Sequence, residues 1–107
     1  MDCINAAAEF TEHTLGKSRV KCALISKGDP DMDDAIRISL PEGYSSSEGV
    51  NFFKNLDFIY DSGYGGQKLF GIIWYEDGTW SERGEYDGSE WWENKVVPAI
   101  PFTLRKE

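Results

Sequence analysis

His13, Cys3 and Cys22 are the only histidine and cysteines in this 107-residue chain, so they supply all its imidazole and thiol chemistry. Thiol catalysis needs a thiolate within hydrogen-bond reach of an imidazole. Cys3 and His13 fall on one expected helix, about 15 Å apart along its axis, and cannot pair. Cys22 falls on an expected buried face, where cysteine behaves as a small hydrophobe. One histidine with two scattered cysteines also misses the zinc-ligand spacings. Asp29-Pro30-Asp31-Met32-Asp33 opens like a calcium loop, but Asp34 and Leu40 occupy the places of the turn glycine and the bidentate glutamate. Gly63, Gly65 and Gly66 precede strand residues rather than a helix, the wrong setting for a phosphate cradle. These residues lead us to expect no metal, no cofactor and no catalytic residue.

The carboxylates are more informative. From Glu76 to Glu93 there are seven acids and one base, Arg83, a net charge of −6 on eighteen residues out of −8 for the chain. All four tryptophans, Trp74, Trp80, Trp91 and Trp92, lie in or beside this stretch. Rigid aromatics among unneutralised acids suit a surface that binds something basic, with a buried aromatic anchor and a polar rim. The expected partner-binding residues are Asp77, Glu82, Glu85, Asp87, Glu90, Trp91, Trp92 and Glu93. Neighbours on a strand point to opposite faces, so one of Trp91 and Trp92 is expected outward, ringed by Asp87, Glu90 and Glu93. Carboxylates two apart on a strand sit about 6.6 Å from each other, close to phosphate spacing. Only Glu85 and Asp87 keep that step, so a nucleic-acid mimic would have to assemble its array across strands. Acid pairs beside tryptophans also occur in sugar-cleaving sites, which keeps a small carbohydrate-binding module or enzyme as a further reading.

Positioning these residues requires a sheet. Trp74 shares a strand face with Phe70 and Ile72 and is expected in the core. Period-two patterns predict strands over Lys68–Glu76, Thr79–Glu85 and Glu90–Lys95, joined by Asp77-Gly78 and Asp87-Gly88 turns of type I′. Gly71 and Gly84 leave bare backbone against which rings can lie. A short strand at Asp57–Tyr60 precedes a Gly-rich turn from Asp61 to Gly66. Upstream, Asp2 is expected to cap a helix carrying Cys3, Ala7, Phe10 and Thr14 that ends at Gly16. Val20, Cys22 and Leu24 are expected inward on the first strand, with Lys21 and Ala23 outward. Ile36, Ile38 and Leu40 point inward on the second strand. The serines 45–47 cap a helix from about Glu48 to Asn55 that buries Val50 and Phe53. The expected fold is α+β, an antiparallel sheet of four to six strands with two helices, in a single domain spanning residues 1–107.

At 40 % apolar and 14 % aromatic residues the chain can form a core. Its acidity argues against direct contact with nucleic acid or an anionic membrane. The N-terminal sequence Met-Asp-Cys-Ile-Asn lacks the basic and apolar regions of a signal peptide. The longest apolar run, Leu69 to Tyr75, falls far short of the ~20 residues of a membrane span. The expected location is the cytosol, with reduced thiols.

The residues from Gly65-Gly66-Gln67-Lys68-Leu69-Phe70 through Trp91-Trp92-Glu93 resemble the C-terminal part of small acidic proteins carried by phages and mobile elements. The similarity covers about a third of the chain and includes no catalytic signature. Anti-CRISPR and other anti-defence inhibitors are of this kind. The resemblance implies a non-enzymatic inhibitor in a bacterial host cytosol, acting on a basic nucleic-acid channel or subunit surface of a host protein or ribonucleoprotein complex. An immunity protein or antitoxin that blocks a basic toxin is the alternative that the same surface would serve.

Overall fold

The computed structural model describes residues 2–62 and 66–104, so part of the Gly-rich turn expected between Asp61 and Gly66 lies outside the described residues. The elements in order are β1 (Asp2–Asn5), α1 (Ala6–Thr14), β2 (Val20–Lys27), β3 (Ile36–Leu40), α2 (Ser46–Leu56), β4 (Ile59–Ser62), β5 (Leu69–Tyr75), β6 (Trp80–Tyr86) and β7 (Ser89–Lys95), with a 3-10 turn at Phe102–Leu104. Five strands form an antiparallel sheet in the order β3-β2-β5-β6-β7, and β1 pairs with β4 in a separate ribbon. The fold is α+β, as expected.

Local chemistry sets the element ends. The first helix starts later than expected because Asp2–Asn5 pair with Ser62–Ile59 as a strand. Asn5, not Asp2, is the N-cap, and its side chain accepts from Ala8 N at 2.9 Å. Ser45 caps α2 in a full capping box, with the Glu48 carboxylate reaching back to the Ser45 N–H. Asp87 and Gly88 both take positive φ, which gives the expected type I′ turn between β6 and β7. In the β5–β6 turn only Gly78 does so, which fits a longer hairpin loop with a single left-handed residue.

The helix-facing side of the sheet carries the core. Phe10 meets Phe52 edge-on at 5.2 Å and Trp92 at 6.3 Å. Ala23, Ile25, Ile38, Leu40, Leu69, Ile73 and Tyr75 pack in the same cluster. This reverses the phase expected for β2, since Cys22 and Leu24 point away from the core and Leu24 is 48 % exposed. The cause is a register shift between Val20 and Cys22, where β2 gains a residue relative to β5. Trp74 is likewise on the outer face and 38 % exposed, because Ile73 and Tyr75 hold the inward positions of β5. On α2 the buried residues are Phe52 and Leu56, while Val50 and Phe53 are exposed, a shift of the buried stripe from the expected side.

Candidate functional site

One face of the five-stranded sheet is covered by helices; the other presents side chains to solvent. Leu24, Phe70, Ile72, Trp74, Trp80, Glu82, Trp91 and Glu93 share this outer face through the pairings Leu24↔Ile72, Ile72↔Glu82, Trp74↔Trp80, Glu82↔Glu93 and Gly84↔Trp91. A shallow concavity of 410 Å³ over Leu24, Phe70, Ile72 and Glu82 marks its apolar half. Gly84 is required beneath Trp91: an added Cβ would lie 2.6 Å from the indole nitrogen, so the ring rests on bare backbone. That is the packing expected of Gly84. Gly71 serves backbone approach instead, since a Cβ there would lie 2.7 Å from the Leu24 carbonyl oxygen.

Glu82 and Glu93 are direct cross-strand partners in this face. Each is fixed by the indole two residues before it. Trp80 Nε1 donates to Glu82 at 3.0 Å, and Trp91 Nε1 donates to Glu93 at 2.8 Å. Lys95 adds a 3.2 Å ion pair to the second Glu93 oxygen. The Trp91 and Lys95 bonds hold Glu93 below the ordinary carboxylate range. Like charges placed opposite one another on a sheet are destabilising. The two carboxylates thus stand opposite one another among three tryptophans on a solvent-facing surface, with Lys95 offsetting the charge of Glu93.

The other expected site residues fall elsewhere. Asp77 lies in the β5–β6 turn, where its carboxylate accepts from the Thr79 hydroxyl at 2.6 Å and the Thr79 N–H at 3.0 Å, bonds that lower its pKa. Glu85 is exposed and accepts from Gly88 N across the β6–β7 turn. Asp87 is an exposed turn residue. Of the two adjacent tryptophans, Trp91 is the outward one.

Glu90 and Trp92 are buried on the inner side of the sheet rather than on its outer face, contrary to the expectation that Glu90 would ring an exposed tryptophan. The Glu90 side chain is 0 % exposed and pairs with Arg83 Nη2 at 2.8 Å; the Arg83 side chain is 1 % exposed. The β5–β6 ladder runs only from Trp74↔Trp80 to Ile72↔Glu82. Beyond it Leu69 has no β6 partner, and the ion pair takes over its backbone groups. Glu90 accepts from Leu69 N at 3.0 Å and Lys68 N at 2.5 Å, and Arg83 Nε donates to Leu69 O at 3.4 Å. Arg83 also donates to Glu9 at 3.1 Å and to the Tyr60 hydroxyl at 2.9 Å, and lies over Trp92 at 5.0 Å. Burial opposes the guanidinium charge, but the Glu90 bond and the Glu9 carboxylate outweigh it and hold Arg83 above its ordinary pKa. Burial and the bond to Glu9 raise the Tyr60 hydroxyl. The cluster joins α1, β4, β6 and β7. Its members lie far apart in sequence, and the lone base among seven acids was the one signal that could have marked it.

A second polar chain also escaped the sequence. His13 Nε2 lies 2.8 Å from Ser81 Oγ, which lies 2.8 Å from the Tyr75 hydroxyl. This imitates a base–nucleophile pair, but Ser81 is fully buried and its hydroxyl is shared with Tyr75, so no substrate carbonyl can reach it. Burial lowers the His13 pKa, with Lys17 and Arg83 adding to the shift. Burial also raises Cys22, which lies on the outer face rather than in the core. No group of three or more His, Cys, Asp or Glu residues suited to a metal occurs among the described residues, and no described helix is long and apolar enough to cross a membrane. Comparison with protein-family models, curated proteins and solved structures gives no match.

Proposed function

We propose that this chain is a non-enzymatic inhibitor that uses the outer face of its sheet to occupy a basic, nucleic-acid-handling surface of a host defence complex in the bacterial cytosol. The observation that carries this reading is the opposed Glu82/Glu93 pair set among Trp74, Trp80 and Trp91. A lysine or arginine arriving at Glu82, or displacing Lys95 from Glu93, finds a carboxylate already oriented by an indole N–H, and the rings offer it flat aromatic surface. The apolar half of the face, at Leu24, Phe70 and Ile72, supplies the buried area that carboxylates alone do not.

The wider charge supports the same partner. Removing the buried Arg83–Glu90 pair from the Glu76–Glu93 stretch leaves six acids and no base, still a net −6. These acids lie at both ends of β6 and at its middle: Glu76 and Asp77 at one hairpin, Glu85 and Asp87 at the other, and Glu82 with Glu93 between. An array of that kind steers encounter with a basic groove and weakens as salt rises.

Affinity capture from a bacterial lysate, with identification of retained proteins by mass spectrometry, tests the proposal. Retention of a basic nucleic-acid-handling complex by the wild type, and its loss with Glu82→Gln/Glu93→Gln, supports it. Retention of a single toxin points to an immunity protein instead. Inhibition is expected to saturate at a fixed ratio to the target and to reverse on dissociation; progressive inactivation by sub-stoichiometric amounts means an enzyme.

A further inference from the structure

The free edge of β7 is a second surface, separate from the outer face. We infer that β7 accepts an extended strand from the partner, one that alternates apolar and basic side chains. The inference rests on the reading of this protein as a binder of basic partners, and it adds the β7 edge and the groove beside α1, sharing Trp91 and Glu93 with the outer face.

Three observations carry it. First, β7 pairs only with β6 among the described strands, and that pairing runs without interruption through seven residue pairs from Tyr86↔Ser89 to Trp80↔Lys95. Proteins ordinarily blunt a long, regular edge with proline, a bulge or inward-pointing charge, because its open N–H and C=O groups recruit other strands. Within β7 there is no proline and no bulge; its one inward-pointing charge, Glu90, is neutralised by Arg83, and Lys95 stands at its end. The opposite edge, β3, differs: it is only five residues long, and its Arg37 donates to the Pro30 carbonyl.

Second, a groove of 670 Å³ runs beside this edge, between β7 and the outer side of α1. Ile4, Ala8 and Leu15 give it an apolar wall, Trp91 and Trp92 line the β7 side, and Glu12 stands exposed at its rim. Third, Trp92 Nε1 is buried with no hydrogen-bond acceptor, although Trp92 lines this groove. Buried indole N–H groups ordinarily have a partner. An arriving strand brings backbone carbonyl oxygens to this side of the molecule.

These features define the occupant. Strand addition takes affinity from main-chain hydrogen bonds and specificity from alternate side chains. On an added strand, alternate residues fall on opposite sides of the extended sheet. One set enters the groove beside Ile4, Ala8 and Leu15 and should be apolar. The other lies beside Trp91 and Glu93 and should be basic.

An NMR titration of the full chain with a synthetic peptide of about nine residues, alternating valine and lysine, tests this. The expected result is saturable binding with shifts in the β7 amides and in the Trp92 indole N–H. Proline at alternate peptide positions should weaken binding by about tenfold or more, since it removes main-chain donors. Glu12→Lys, an exposed change, should weaken it by about threefold or more. Three outcomes overturn the inference: no saturable binding, equal binding of the proline peptide, or shifts confined to Trp74 and Trp80 on the outer face. Concentration-dependent shifts of the β7 amides without peptide also overturn it, because the edge would then serve a second copy of this chain. If the peptide fails while Glu82→Gln/Glu93→Gln still abolishes capture, strand addition alone is wrong; if capture survives that double variant, the outer-face proposal is wrong whatever the peptide does.

Discussion

Replacing Glu90 with glutamine should destabilise this protein far more than any other acid-to-amide change in the Glu76–Glu93 stretch. The carboxylate is fully buried and accepts from Arg83 Nη2 at 2.8 Å, Leu69 N at 3.0 Å and Lys68 N at 2.5 Å. Glutamine keeps one acceptor oxygen but turns an NH₂ toward groups that are themselves donors. Arg83 then retains only Glu9 as a charged partner, at 3.1 Å. Breaking one side of a buried ion pair costs about 3–5 kcal/mol. The retained oxygen and Glu9 soften this, so about 3 kcal/mol is expected. Urea denaturation should show a lower midpoint with unchanged slope, and thermal unfolding a drop of about 12 °C or more. Glu93→Gln, on the outer face, should change stability by less than about 0.5 kcal/mol. The double variant Arg83→Met/Glu90→Leu separates the two roles of the pair. It removes the charges together, which is often near neutral, but leaves the Lys68 and Leu69 N–H groups without their acceptor. It should remain about 1–2 kcal/mol less stable than wild type, with faster amide exchange at those two residues. A cost below about 1 kcal/mol for Glu90→Gln would refute the account of a carboxylate that completes the sheet.

Three further outcomes follow from the geometry. Gly84→Ala should lift Trp91 off the sheet and break its bond to Glu93, at a cost of about 1–3 kcal/mol with a changed near-ultraviolet tryptophan signal; an unchanged signal contradicts the packing described. Ser45→Ala should cost about 1 kcal/mol in urea denaturation through loss of the α2 capping box, and no loss of stability means the cap contributes nothing. The folded-state pKa of His13 is depressed below 6.5, so its contribution to stability is full above that value and is lost as pH falls through the window between it and the lowered folded value. His13→Asn should flatten the pH dependence of stability in that window, and an unchanged slope rules His13 out as its source.

Much of the fold was legible because its signals are local. The Asp-Gly pairs and period-two runs located β5, β6 and β7, and the serines before α2 marked its cap. What escaped depends on pairing. The strand Asp2–Asn5 exists only through β4, and reading it as the start of a helix moved the N-cap from Asn5 to Asp2. The bulge after Val20 reversed the inward set of β2, which periodicity alone cannot show. The site was half legible for the same reason. Glu82, Trp91 and Glu93 belong to the solvent face, as their density of charge and rings suggested. Glu90 and Trp92 do not, because the β5–β6 ladder ends early and Arg83 demands a buried counter-charge. The sequence shows seven acids and one base; only the fold shows which acid that base takes.

If the outer face takes the place of nucleic acid on a basic surface, this protein and an oligonucleotide exclude each other there. A competition measurement tests it most directly: the partner retained in capture is mixed with a labelled oligonucleotide that it binds, and this protein is titrated in. Full displacement is expected at a fixed molar ratio, weakened by raised salt and by Glu82→Gln/Glu93→Gln. A stable ternary complex, or displacement undiminished by that double variant, would contradict it.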